Sequence, residues 1–181
     1  QLRIGSRRVG SRGSPTEFLE TLDELSAAPN PGFMATAAHV RIDMARRVVS
    51  CALAGHPPPL LLKADGSTTW LGGEPGPPLG VRPDGLPAVR REAIAALRGP
   101  CRVVLYTDGL VERRGEPLDV GLERLATAVR EGAALDGEAF LHHVITVTAP
   151  PEGATDDVAA LCLEIDDLDP DGLDPDGLDS G

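Results

Sequence analysis

The sequence predicts an α/β chain in which antiparallel strands are covered by helices, and three observations predict it. Short apolar runs separated by turn residues fill residues 33–71. A β-branched and aliphatic run, Val103-Val104-Leu105-Tyr106, stops abruptly at Thr107-Asp108-Gly109. Two segments, 118–130 and 137–147, carry apolar residues at helical rather than strand spacing.

Residues 14–28 open this pattern with a helix. Ser14 stands as N-cap, Pro15 at the first helical position and Glu17 where it completes a capping box. Phe18, Leu19, Leu22 and Leu25 recur at helical spacing, and Pro29-Asn30-Pro31-Gly32 ends the helix near Ala28. The runs 33–42, 47–53 and 59–63 then read as an antiparallel meander, with Asp65-Gly66 closing a hairpin to 68–71. Residues 92–97 have helical composition, but their position before the run at Val103 favours a strand, followed by a turn at Arg98-Gly99-Pro100. The helical segments 118–130 and 137–147 pack on the sheet, the second with Asp136 as N-cap. His142 and His143 are adjacent, so a helix points them in different directions and joint metal ligation is not expected.

Composition narrows the class. At 181 residues and 41% hydrophobic content the chain can bury one domain core. Seven aspartates in the last sixteen residues supply most of the formal charge of −11, so the acidity belongs to a tail. With no large basic surface, nucleic-acid binding is disfavoured. Cys51, Cys101 and Cys162 form no Cys-x-x-Cys pair and read as reduced core thiols. No apolar stretch approaches the ~18 residues that span a membrane, and no signal peptide is visible, so a cytoplasmic protein is expected.

The chemistry concentrates at two acidic motifs. Asp108 closes the apolar run at Val103, and a carboxylate there needs a cation or strong donors to offset its desolvation. Gly109 would allow a sharp turn beside it. The same Asp-Gly pair also reads as a plain hairpin turn. Downstream, Thr155-Asp156-Asp157 leads into the apolar run Val158-Ala159-Ala160-Leu161-Cys162-Leu163. If the two strands run antiparallel side by side, Asp108 and Asp156 meet at one sheet end, where a hard divalent cation takes oxygen ligands.

Taken with Phe33-Met34-Ala35-Thr36, Ala54-Gly55-His56-Pro57-Pro58-Pro59-Leu60-Leu61 and Pro78-Leu79-Gly80, these motifs stand in an order that resembles the SpoIIE-type branch of the PPM (PP2C-like) metal-dependent serine/threonine phosphatases. The resemblance runs from about Ser14 to Ile165. It implies a PP2C-like antiparallel β-sandwich flanked by helices, αββα in layers. It also implies Mn²⁺ or Mg²⁺, two ions in the complete family domain, activating a water for in-line attack on phosphoserine or phosphothreonine. Carried over by motif, Asp108 and Asp156 are the metal-binding residues, with Asp157 and Gly109 supporting them. Gly55 and His56 shape a strand turn, and no further catalytic residue is assigned.

The resemblance also implies a partner, a phosphorylated regulatory protein such as a STAS-domain anti-anti-sigma factor. The family's upstream Gly-Asp-Val-x-Gly-x-Gly element, whose Asp bridges the metals, does not occur in these residues. Gln1 is not an initiator Met, so a truncated domain is expected, with a degenerate relative as the other reading. The division is then 1–13 disordered or a helix remnant, 14–166 a partial PPM/SpoIIE-like domain, and 167–181 an acidic disordered tail. That tail matches the first half of a calcium loop, but Leu178 stands where a bidentate Glu is needed.

Three function classes are consistent with these residues. The first is a phosphatase impaired by missing upstream ligands, and the second a non-catalytic module that binds a STAS-type partner. The third is an incomplete domain whose open sheet edges favour aggregation.

Overall fold

The computed structural model describes residues 13–27, 34–73, 75–81, 88–149 and 157–166. Its elements are α1 (Pro15–Ala27), β1 (Ala37–Asp43), β2 (Val48–Ala54), β3 (Leu60–Leu62), β4 (Thr68–Trp70), β5 (Glu92–Ala96), β6 (Cys101–Tyr106), α2 (Leu118–Glu131), α3 (Gly137–Thr148) and β7 (Ala160–Ile165). They form a three-stranded sheet, β1-β2-β5, and a four-stranded sheet, β4-β3-β6-β7. Every strand pair in both is antiparallel.

Helix α1 packs on the first sheet, and α2 and α3 pack on the second, which gives the expected order of layers, helix, sheet, sheet, helix. Successive side chains of a strand face opposite ways, and β6 supplies a core on each face. Val104 and Tyr106 join a core with Leu125, Val129, Phe140 and Val144 of α2 and α3. Cys101 and Val103 join a second core with Val49, Cys51 and Leu53 of the facing sheet.

The N-terminal helix starts as its sequence dictates. The Ser14 amide donates to Glu17 Oε2 at 2.9 Å, and Ser14 Oγ accepts from the Glu17 amide at 3.2 Å, a complete capping box. Position rather than propensity decides 92–96, which form β5 against β2. The Asp65-Gly66 turn closes the β3–β4 hairpin, with the Lys63 amide donating to the Ser67 carbonyl at 2.9 Å.

The meander expectation needs correcting. β1 and β2 pair as a hairpin, but β3 pairs with β4 and β6 in the other sheet. The three prolines between β2 and β3 lack amide donors, so the chain leaves one ladder and crosses to the next there. Asp136 holds the N-cap position of α3, but its carboxylate makes no capping hydrogen bond. His142 is exposed and His143 half-buried, in keeping with their helical spacing.

A buried ion pair also holds α1 in place. Asp23 Oδ2 accepts from Arg90 Nη1 at 2.8 Å, and Asp23 Oδ1 accepts from the Gly80 amide at 2.7 Å. Arg90 Nη2 also donates to the Pro77 carbonyl at 3.1 Å. One carboxylate thus fastens the Pro78-Leu79-Gly80 turn to both α1 and the approach to β5. Either charge alone would be an unpaired ion in the core.

The three thiols are free. Burial pushes Cys51 up to about 12 and Cys162 up to about 11 and also raises Cys101, so all three stay protonated near neutrality. No helix among the described residues is long and apolar enough to cross a membrane.

His39 of β1 stacks on Phe18 of α1, ring centroids 4.2 Å apart. Burial holds its pKa below the ordinary histidine value, helped by Arg41 and opposed by Glu92. A histidine kept neutral in the fold titrates first in the unfolded chain. Its contribution is therefore complete above about pH 6.5 and is lost as pH falls through the lower folded value. Urea midpoints between pH 7.5 and 5 should fall more steeply for the native chain than for His39→Phe. Parallel pH profiles would contradict the assignment.

Candidate metal centre

Strand β6 ends at Tyr106, and its exit is tied down on both sides. Tyr106 Oη donates to the Pro58 carbonyl at 2.9 Å, which links the strand end to the proline turn. The Thr107 amide donates to the Ala159 carbonyl at 2.9 Å. Thr107 Oγ1 donates to the Asp157 carbonyl at 2.8 Å and accepts from the Ala159 amide at 2.9 Å. The antiparallel β6–β7 register, with Tyr106 opposite Ala160, thus continues past the strands through one threonine.

Asp108 begins a 3₁₀ turn, Asp108–Leu110. The Leu110 amide donates to the Thr107 carbonyl at 3.0 Å, and the Val111 and Glu112 amides donate to the Asp108 carbonyl at 2.9 and 2.8 Å. The Asp-Gly pair is therefore not a hairpin turn. Gly109 is not among the described glycines with positive φ, so a left-handed conformation is not what it supplies. Leu110 and Val111 are buried against α2 and α3, which pins the turn from below. Asp108 is half-buried, and its Oδ1 accepts from the Gly109 amide at 3.0 Å. The described salt bridges do not include it.

The structure brings the Asp108 turn and the Asp157 main chain together, and His56 sits on the proline turn that Tyr106 joins to the same strand end. His56 Nδ1 lies 2.7 Å from the Pro57 carbonyl, to which it must donate, and the ring meets Tyr106 edge-on at 6.4 Å. Gly55 has φ +67°, its amide donates to the Gly76 carbonyl at 2.7 Å, and a Cβ there would lie 2.6 Å from Pro78 Cγ. Asp156 lies outside the described residues, as does the aspartate-rich tail from 167 onward. Among the described residues no group of three or more His, Cys, Asp or Glu side chains could hold a metal ion. The Asp108 carboxylate at this sheet end is an oxygen donor of the type that Mn²⁺ and Mg²⁺ take and could supply one ligand of such a site.

Residues 2–166 match the family described as Stage II sporulation protein E (SpoIIE). The chain belongs to the SpoIIE family. Among solved structures, this SpoIIE-family chain is similar to the RsbU and RsbW domains of Rv1364c from Mycobacterium tuberculosis, with 27% identity and a TM-score of 0.67, covering 86% of this chain and 43% of that one. It is also similar to the SiaA-PP2C domain of Pseudomonas aeruginosa, with 24% identity and a TM-score of 0.69, covering 90% and 65%. A third is the manganese-presoaked phosphatase domain of SpoIIE from Bacillus subtilis, with 14% identity and a TM-score of 0.55, covering 91% and 71%. The chain therefore spans less than two thirds of the first two of these structures, and the αββα arrangement is the PP2C-like fold.

One contact that sequence reading missed fixes the Asp108 turn in this SpoIIE-family fold. Gly121 of α2 packs so closely that a Cβ would lie 1.9 Å from the Val111 carbonyl oxygen, three residues past Asp108. Backbone meets backbone there, so neither side can yield by turning a side chain. Gly121→Ala would gain about 1 kcal/mol of helix propensity but force α2 away from the turn. Overpacking of this kind costs about 1–3 kcal/mol or more. Urea denaturation should show a net loss of stability, whereas an unchanged or raised midpoint would contradict the close approach.

Proposed function

We propose that this chain forms part of a metal-dependent protein phosphatase domain that hydrolyses phosphoserine or phosphothreonine on a cytoplasmic regulatory protein. Asp108 and Asp156 would bind Mn²⁺ or Mg²⁺, with Asp157 and Gly109 supporting them and Gly55 and His56 shaping the proline turn. The observation that carries this reading is the bonding of Thr107 to Asp157 and Ala159, which draws the Asp108 turn and Asp157 to one end of one sheet. A bound divalent ion would lower the pKa of its water and neutralise phosphoryl charge. The protein's own part is to hold Asp108 on a rigid turn whose main chain is already bonded.

The neighbours support a regulatory setting. One contains RsbU and RsbW domains, and another comes from the bacterial stressosome, a modular system that controls secondary messenger signalling. A STAS-type anti-anti-sigma protein, which the family resemblance implies, is the substrate class proposed. A second reading is a non-catalytic phosphatase-like module that binds such a partner with little or no turnover, since the family's upstream metal-bridging element does not occur in these residues.

The test is Mn²⁺-dependent hydrolysis of p-nitrophenyl phosphate by these 181 residues, with Asp108→Ala beside it. The expected outcome is turnover far below that of an intact family domain, and none in the variant. Turnover equal to an intact domain would contradict the proposed impairment. Turnover indifferent to Asp108→Ala would remove Asp108 from the site.

A further inference from the structure

Resting on that reading of Asp108, we infer that Arg113 is a positioning residue for the metal centre. It sits five residues after Asp108 on the same loop, and its guanidinium reaches the far end of α3. Arg113 Nη2 donates to the Thr148 carbonyl at 3.0 Å and to the Ala149 carbonyl at 3.2 Å. These carbonyls belong to the last turn of a helix, where intrahelical partners run out and the helix dipole favours a cation. Arg113 therefore serves as the C-terminal cap of α3 although 35 residues separate it from Thr148. The neighbouring Arg114 is exposed.

The placement matters because of what else holds the loop. Ahead of Asp108, Thr107 bonds to the residues that lead into β7. Behind it, Val111 lies under Gly121 of α2. Arg113 adds a polar tie to the C-terminal end of α3, beside the apolar packing of Leu110 and Val111 on α2 and α3. Without the guanidinium, the stretch from Glu112 to the start of α2 loses its link to α3. The loop behind the turn would then be looser, and Asp108 would be held less firmly when metal binds. Groups hydrogen-bonded to a metal ligand typically contribute ten- to a hundredfold to metal affinity, and Arg113, one step further from the ligand, is expected at the low end of that range.

The experiment measures Mn²⁺ affinity of the full chain by titration calorimetry, with urea stability determined on the same samples. Arg113→Ala should weaken Mn²⁺ binding about tenfold, Arg113→Lys should recover part of that loss through its ammonium, and Arg114→Ala should leave affinity unchanged. In an Asp108→Asn background, Arg113→Ala should change Mn²⁺ affinity no further. An Arg113→Ala chain that is less stable yet binds Mn²⁺ as tightly as the native chain would overturn the inference and leave only a helix cap. Equal loss of affinity with and without Asp108 would overturn it too. If Asp108→Asn alone leaves Mn²⁺ binding unchanged, the reading of Asp108 as a ligand fails, and this inference fails with it. An affinity sensitive to Asp108 but not to Arg113 would refute the positioning role alone.

Discussion

Strand β6 is paired on both sides at its centre and packed on both faces, so its polar side chains lie towards its ends, Arg102 at the start and Asp108 just past the exit. β7 pairs with it along its whole length and β3 with residues 102–104. The helices take the side of Val104 and Tyr106, and the other sheet takes the side of Val103. A carboxylate within such a strand would be an uncompensated charge in the core. At its exit the same group is half-buried and held by a bonded turn, next to Thr107, which bonds to the residues that enter β7. The two cores meet at this strand, and the candidate centre is where it emerges.

That arrangement explains why the ties around Asp108 come from distant parts of the chain. The turn is short, and a 3₁₀ turn alone has little stability of its own. It is held instead by Thr107, by Val111 under Gly121 and by Arg113 at the end of α3. The other landmark, the proline turn, is anchored through Gly55 against Pro78 and, at the same end of β6, through Tyr106 Oη on Pro58. Both landmarks therefore sit on fixed scaffold.

Features governed by neighbours in sequence were visible before the structure. The Ser14–Glu17 capping box, the Asp65-Gly66 hairpin and the periodicity of α2 and α3 are local, and each stands where expected. The polar end of β6 could be read because an apolar run that stops at a carboxylate carries its own signal. Pairing across the chain could not. Nothing in 59–63 tells that β3 leaves its neighbour β2 to join β6, because both sheets offer apolar faces of the same period. The same holds for Asp23, 57 residues from the Gly80 amide it accepts from and 67 from Arg90. On its own helix it looks like any surface aspartate. Gly109 misled in the opposite direction, because Asp-Gly is a turn signal whose usual geometry the burial of Leu110 and Val111 overrides.

The central claim is that Asp108 is a metal ligand at the junction of β6 and β7, and paramagnetic broadening of backbone amide signals by Mn²⁺ tests it most directly. As Mn²⁺ is added at low ratios, the amides of Thr107, Asp108 and Gly109 and those of Asp157 to Ala159 should broaden first, and Asp108→Asn should abolish the effect. Broadening confined to the aspartate-rich tail, with residues 107–109 and 157–159 untouched, would contradict that claim.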